Sequence, residues 1–139
     1  MSRILGIDYG RARIGVAVSD ETALISKAVG IIKNEGSKKS AAKIGQLIEE
    51  YEVSKVVVGL SKKSDGMLGE IGVEALEFGK YLGVRFNIPI DFIDEAMTTK
   101  NAESIMIESR SSRKSRKQRI DTVAACLILQ DYLDRAKEL

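Results

Sequence analysis

Two apolar runs joined by a short basic turn, near the start of the chain, constrain the fold more than any other segment. The runs Arg3–Ile7 and Ile14–Ser19 are rich in the branched apolar residues that favour strands. The turn between them is too short for a crossover connection, so the two strands are predicted to pair as an antiparallel hairpin. Any fold for this chain must contain that hairpin.

A single carboxylate, Asp8, stands where the first run meets the turn. Gly10 and the cations Arg11 and Arg13 follow it, so a ligand can approach the backbone closely and meet both charges. An acid at the end of an apolar strand, with two arginines beside it, suggests a site for a metal ion and a phosphate. The alternative is an aspartate that only begins the turn, where this residue is common.

The rest of the chain alternates between helix and strand patterns. Apolar residues at helical spacing predict helices, and short runs that are apolar on both faces predict buried strands. We predict strands at 3–9, 14–19 and about 24–32, a helix over Ser37–Tyr51, a strand over Val53–Leu60, a helix over Gly69–Leu82, a strand over Ile88–Ile93, a helix from Thr98 or Thr99 to Glu108, and a last helix from about Ser115 to Arg135.

This order of elements predicts an α/β fold built on one mixed sheet. Short turns join the first three strands, which should be antiparallel, and helices join the later two, which should be parallel. The expected result is a mixed five-stranded sheet with helices on both faces, in a single domain over residues 1–139. Asp8 would lie on the central strand, at the edge where open α/β sheets bind ligands.

The chain of 139 residues contains no histidine, which restricts its chemistry. Catalytic triads that use histidine, and zinc sites built on imidazole, are excluded. Acid–base or metal chemistry falls to carboxylates, and oxygen-only sites favour hard cations such as Mg²⁺ or Mn²⁺. The single cysteine, Cys126, cannot form an internal disulfide, and no apolar run has the length of a membrane span. We therefore expect a cytoplasmic protein without a membrane segment.

Three acids stand where the predicted fold would bring them together: Asp8, Glu95 and Asp121. Glu95 directly follows the last strand, and strand alternation turns its neighbour Asp94 to the other face. Asp121 shares a helix face with small residues that would let the helix approach the sheet closely. Three converging carboxylates repel one another unless a cation binds between them, and two cations about 4 Å apart would form a phosphodiester-cleaving site. The alternative for Asp121 is an acid that only interacts with the dipole at the start of its helix.

A strongly basic segment at 110–119 holds six of the 22 basic residues and no acid. Such a segment is usually a solvated, mobile loop, and we predict that structure for it. Contact with a polyanion is the functional alternative. The residues predicted to contact substrate phosphates are Arg11, Arg13, Lys62, Lys63, Arg113, Lys114, Arg116 and Lys117.

Four motifs together resemble the YqgF (RuvX) family of RNase H-like nucleases, over almost the whole chain. They are GIDYGRARIGVAVSD at 6–20, VVVGLSKKSDG at 56–66, IDEAMTT at 93–99 and IDTVAACLILQDYL at 120–133. The resemblance implies an RNase H-like fold and a cytoplasmic nuclease with the same three acids as catalytic residues. It also implies a role in ribosome biogenesis, in which the enzyme matures the 5′ end of the small-subunit (pre-16S) ribosomal RNA precursor and meets ribosomal particles. Holliday-junction resolution is suggested for some members.

Three positions depart from the family pattern. The usual arginine after the glutamate is Ala96, a usual proline is Ser61, and a usual asparagine in the following loop is Lys63. Because the three acids are intact, we expect metal binding to be kept. The missing arginine affects rate and substrate preference, for which Arg11, Arg13 or Lys63 can compensate.

Two other classes of protein share some of these features. Actin- or Hsp70-like ATPases use a similar Asp-x-Gly hairpin, but they clamp nucleotide between two domains of this fold, and 139 residues supply one. A nucleic-acid binder without catalysis would use the basic segment but would gain nothing from three converging acids. A junction resolvase would need a symmetric dimer, and the sequence assigns no oligomeric state.

Overall fold

The computed structural model describes residues 3–94 and 113–137, with the side chains of residues 3–94 and 123–136. The elements, in chain order, are β1 (Arg3–Tyr9), β2 (Arg13–Ser19), β3 (Ser26–Lys33), α1 (Ser37–Glu50), β4 (Val53–Leu60), α2 (Glu70–Phe86), β5 (Ile90–Asp94) and α3 (Arg113–Lys137). No helix within these ranges is long and apolar enough to cross a membrane.

The five strands form one mixed sheet in the order β3-β2-β1-β4-β5. β2 pairs antiparallel with both β1 and β3, whereas β4 pairs parallel with both β1 and β5. The predicted arrangement of antiparallel strands followed by parallel ones is therefore confirmed. β1 is the central strand, and Asp8 lies near its C-terminal end, opposite Gly15 of β2.

Each face of the sheet carries its own apolar core. On one face, α1 and α2 cover the side chains of Leu5 and Ile7 together with Val16 of β2 and with Val56 and Val58 of β4. On the other face, α3 covers Ala17, Val57 and Ile93. Helices thus lie on both faces, as predicted, and strand alternation decides which side chains meet α3.

Three predicted boundaries shift for local reasons. β3 begins at Ser26 rather than about 24, because Asp20 accepts hydrogen bonds from the backbone of the preceding turn, including Leu24 N at 2.9 Å. α2 continues beyond Leu82 to Phe86 and ends at Asn87, which adopts the left-handed conformation (φ 49°). The next strand therefore begins at Ile90 rather than Ile88. The helix predicted from Thr98 or Thr99 to Glu108 lies outside the described residues.

The prediction of a loop over 110–119 is wrong for its larger part. Residues 113–119 are the first turns of α3, whose backbone is helical from Arg113 onward. Lysine, arginine and glutamine are good helix formers, so this segment can extend the amphipathic helix that follows it despite its charge. Residues 110–112 lie outside the described residues.

α3 approaches the central strand closely at Gly6. A Cβ atom at this position would lie 2.7 Å from Leu129 Cβ and 3.4 Å from the carbonyl oxygen of Ala125. The first distance is too short for two carbon atoms in contact. Gly6 therefore sets how near α3 can pack against β1.

Replacement of Gly6 by alanine should lower the free energy of unfolding by about 1–3 kcal/mol, because the new methyl group overpacks the contact with α3. Urea denaturation of the two proteins measures this difference. Gly69→Ala is the control, since its nearest neighbour, Lys63 Cγ at 3.3 Å, belongs to a flexible side chain. Equal losses in the two variants would contradict the close packing.

Candidate functional site

Asp8 lies on the face of the sheet that α3 covers. Leu5 and Ile7 are buried on the opposite face, whereas Gly6 contacts α3. By alternation, Asp8 shares the face of Gly6, and it is half-buried at the sheet edge. Its position at the end of a central strand matches the prediction.

Glycines flank Asp8 on both neighbouring strands. Gly15 of β2 is its direct partner, and Ile7 pairs with Val58, so Gly59 of β4 continues level with Asp8 on the other side. Glycine has no side chain to fill the face beside the carboxylate. Gly15 and Gly59 therefore place no side chain beside the carboxylate, and the part played by Gly59 is a feature that sequence reasoning missed.

The path of α3 brings its first half toward Asp8. Ala125 and Leu129 lie against Gly6 of β1. Further along α3, Tyr132 contacts Lys55 of β4, which is the strand partner of Ile4. α3 therefore runs antiparallel to β1. One helical turn before Ala125 advances by about 5.4 Å, and two strand residues after Gly6 advance by about 6.6 Å. Position 121 of α3 is consequently near the level of Asp8.

The structure describes the three predicted acids unequally. Asp8 is described in full, Asp121 belongs to the helical backbone of α3 with its side chain outside the described set, and Glu95 lies outside the described residues. Among the described residues, no three His, Cys, Asp or Glu side chains are close enough to hold a metal ion. The convergence of all three acids stays a prediction.

Asp94 is the last residue of β5, and alternation places it away from Asp8. Ile93 packs in the core under α3, whereas Phe92 packs in the core on the other face, so Asp94 follows Phe92. Its carboxylate lies 3.9 Å from the ammonium group of Lys62. Asp94 thus contacts one of the predicted phosphate-binding lysines.

Arg11, at the tip of the β1–β2 turn, is held by two carboxylates of α2. Its Nε donates to Glu74 Oε2 at 2.8 Å, and its Nη2 donates to Glu70 Oε2 at 3.1 Å. The hydrogen bond with Glu74 has the larger effect and that with Glu70 the smaller, and both raise the pKa of Arg11 above its ordinary value. Sequence reasoning missed both acids, because 59 and 63 residues separate them from Arg11.

Arg11 lines an open cavity of about 310 Å³ together with Lys62, Lys63 and the first residues of α2. The loop after β4 forms one wall, and in it Lys63 N donates to Met67 O at 2.8 Å. Arg13 begins β2 and, by alternation from buried Ile14, lies on the face of Asp8. The structure therefore places the four predicted cations at this end of the sheet, with Arg13 on the face of Asp8.

The other predicted cations lie at the start of α3. Their backbone is helical, and their side chains are outside the described set. Lys114 and Lys117 precede position 121 by seven and four residues, which is the spacing of one helix face. Arg113 and Arg116 both lie on one flank of that face, next to Lys117.

Comparison with known proteins decides the family. The model of the RuvX family, described as a Holliday junction resolvase, matches residues 2–135. The chain belongs to the RuvX family. The "Putative pre-16S rRNA nuclease" of Natranaerobius thermophilus is 45% identical over 133 residues, which are 96% of this chain and 94% of that protein. The protein of the same name from Thermoanaerobacter pseudethanolicus is 44% identical over 136 residues, 97% and 98% of the two chains.

A solved structure agrees with the RNase H-like fold of this family. T. thermophilus RuvC in complex with a Holliday junction substrate superposes with a TM-score of 0.63 and covers 99% of this chain and 97% of that one. The two sequences are 16% identical, so this likeness concerns the fold. The predicted fold class and family resemblance are both confirmed.

Two of the departures from the RuvX pattern lie in the described loop after β4. The carbonyl oxygen of Ser61 would lie 2.5 Å from a Cβ at Gly72, so α2 begins tightly against this loop. Lys63 adds a cation to the cavity that Arg11 lines. Ala96 lies outside the described residues.

Removal of the Glu74 carboxylate should free Arg11 to bind phosphate. We expect Glu74→Gln to bind a single-stranded oligonucleotide more tightly, and the slope of log K against log salt to steepen by up to ~0.7–0.9. Fluorescence anisotropy at several salt concentrations measures both quantities. Glu77→Gln is a matched control, because it removes the same charge from an exposed position of the same helix. If both variants change alike, net charge alone is responsible.

Proposed function

We propose that the protein is a cytoplasmic, metal-dependent endonuclease that matures the 5′ end of pre-16S rRNA. Membership of the RuvX family and the names of relatives at 45% and 44% identity over nearly the full chain support this assignment. The observation that carries it is the position of Asp8. Asp8 lies near the C-terminal end of the central strand, with Gly15 and Gly59 beside it on the neighbouring strands. It is on the sheet face that α3 covers, near the level of position 121.

The proposed catalytic acids are Asp8, Glu95 and Asp121. Ile93 lies on the α3 face, so a strand continued by two residues would bring Glu95 to the same face. Position 121 lies near the level of Asp8 on the covering helix. This set supplies only carboxylate oxygens, which fits Mg²⁺ or Mn²⁺, and the flanking glycines place no side chain beside Asp8.

A divalent cation bound by these acids would lower the pKa of a water molecule and stabilise charge on the phosphate oxygens. The residues of the chain have the remaining tasks. The three proposed acids belong to different parts of the chain: Asp8 to β1, Asp121 to α3, and Glu95 to the segment that follows β5. With no histidine in the chain, carboxylates are the groups available to accept a hydrogen bond from the attacking water.

The proposed substrate contacts surround this site on two sides. Arg11, Lys62 and Lys63 line the cavity beside α2, and Arg13 lies on the face of Asp8. On α3, Lys114 and Lys117 share the helix face of position 121, so they would follow a nucleic-acid backbone away from the scissile phosphate. Arg113 and Arg116 add further positive charge. A polyanionic substrate, alone or within a ribosomal particle, matches this distribution.

Cleavage of a four-way DNA junction is the second candidate function. The description of the family model as a Holliday junction resolvase favours it. The two candidates share the same acids and differ only in substrate. Incubation of the purified protein with pre-16S rRNA and with a four-way junction, each with Mg²⁺ or Mn²⁺, separates them: we expect cleavage near the 5′ end of the mature rRNA sequence.

Isosteric changes at the three acids should stop this cleavage and leave the fold intact. We expect Asp8→Asn, Glu95→Gln and Asp121→Asn to reduce the rate to background, because each removes a charged oxygen ligand. Asp94→Asn should keep most of the activity, since this neighbour of Glu95 lies on the other face. Gel analysis of end-labelled RNA gives the rates, and circular dichroism checks folding.

Two results would contradict this assignment. Full cleavage in the presence of EDTA would exclude the metal. Loss of activity in Asp94→Asn with retention in Glu95→Gln would mean that the wrong acid of the pair has been assigned.

A further inference from the structure

α3 carries a polar residue at the far end of the face that holds position 121. Tyr132 follows Asp121 by eleven residues, about three turns, so both lie on one side of the helix. The hydroxyl of Tyr132 donates to Asp91 Oδ2 of β5 and accepts from Lys55 Nζ of β4 at 3.1 Å. Lys55 and Asp91 are also paired, at 3.4 Å. We call Tyr132, Asp91 and Lys55 the tyrosine anchor.

Gln130 holds the opposite side of the same helix end. Its side-chain oxygen accepts from Ser26 N, and its side-chain nitrogen donates to Leu24 O, both at 2.9 Å. Ser26 begins β3, at the other side of the sheet from β4 and β5. α3 is therefore tied to strands on both sides of β1 near the N-terminal edge.

Between these ties and position 121, the buried side chains that α3 contributes to the core of that face are Ala125, Ile128 and Leu129, all of them apolar. Cys126 lies beside the side chain of Ser26 of β3. Apolar packing sets the height of α3 above the sheet, as at Gly6, and hydrogen bonds add a fixed angle and distance at their own positions. On the described part of α3, the tyrosine anchor and Gln130 add directional contacts with the sheet at this end of the helix.

The tyrosine anchor contributes little to stability by itself. The side chains of Lys55 and Asp91 are 36% and 44% exposed. Ion pairs with this much exposure typically contribute about 0–1 kcal/mol. A geometric role explains this arrangement better than a stabilising one.

We propose that Tyr132 is a positioning residue for the nuclease site, held by Asp91 and Lys55 so that position 121 of α3 stays level with Asp8. This proposal rests on the proposed function above. A rotation of α3 by about 20° would move a carboxylate some 5 Å from the helix axis by roughly 2 Å. A displacement of about 1 Å in a catalytic group can lower a rate on the order of 100-fold.

Tyr132→Phe tests the proposal, because it removes one hydroxyl and keeps the ring. We expect the melting temperature and the KM for RNA to stay near the wild-type values. The kcat should fall at least 10-fold, and the affinity of the RNA-free protein for Mn²⁺, measured by electron paramagnetic resonance, should fall at least 5-fold. If Tyr132 only stabilised the fold, its replacement would change the melting temperature but leave the kcat and the Mn²⁺ affinity at their wild-type values.

Asp131→Asn is the control on the same helix. Asp131 pairs with Arg135 at 2.9 Å within α3, so its removal alters a polar contact of the helix without touching the sheet. We expect wild-type kcat and Mn²⁺ affinity in this variant. Asp91→Asn is a second test variant, which removes the charge that holds the tyrosine hydroxyl and should reproduce the Tyr132→Phe effect in weaker form.

The outcomes separate this proposal from the function on which it rests. Wild-type kcat and Mn²⁺ affinity in Tyr132→Phe, with or without a lower melting temperature, would overturn the positioning role while leaving the nuclease assignment intact. Equal losses in Tyr132→Phe and Asp131→Asn would overturn it as well. A wild-type protein that neither binds Mn²⁺ nor cleaves nucleic acid would overturn the proposed function itself.

Discussion

The contact between α3 and the central strand at Gly6 is the constraint on which the rest of the structure depends. Because position 6 lacks a side chain, Leu129 and the backbone of Ala125 reach the strand directly. The same contact belongs to the apolar core on the α3 face, and it sets the height of α3 above the sheet. Two residues further along β1, next to the last residue of the strand, lies the half-buried carboxylate of Asp8. Packing and the candidate site are thus parts of one arrangement.

The cations Arg11, Lys62 and Lys63 at the sheet edge are each paired with nearby carboxylates. Arg11 is 55% exposed and already paired with two carboxylates, so any phosphate that approached it would compete with Glu70 and Glu74. Lys62 and Lys63 likewise have carboxylate neighbours, Asp94 and Asp65. Ion pairs this exposed contribute little to stability, so replacing a carboxylate partner by a phosphate would cost little free energy.

The sequence predicts most of the fold because its signals are local. Strand alternation and short turns were enough to find the hairpin, the parallel strands and the central place of Asp8. Features that depend on residues far apart in the chain were missed: the ion pairs of Arg11 with α2, the level of Gly59 beside Asp8, and the contact of Tyr132 with Asp91. The loop predicted over 110–119 was wrong from Arg113 onward, because charge density was weighed above the helix propensity of lysine and arginine, whereas the helix predicted from about Ser115 begins two residues earlier.

The claim that three carboxylates share a metal site can be tested most directly by diffraction from crystals soaked in Mn²⁺. Anomalous scattering locates the ion without reference to activity. The account predicts one or two peaks about 2 Å from the carboxylate oxygens of Asp8, with Glu95 and Asp121 completing the ligand set. A well-ordered Asp121 that points away from Asp8, or manganese bound only elsewhere on the surface, would contradict it.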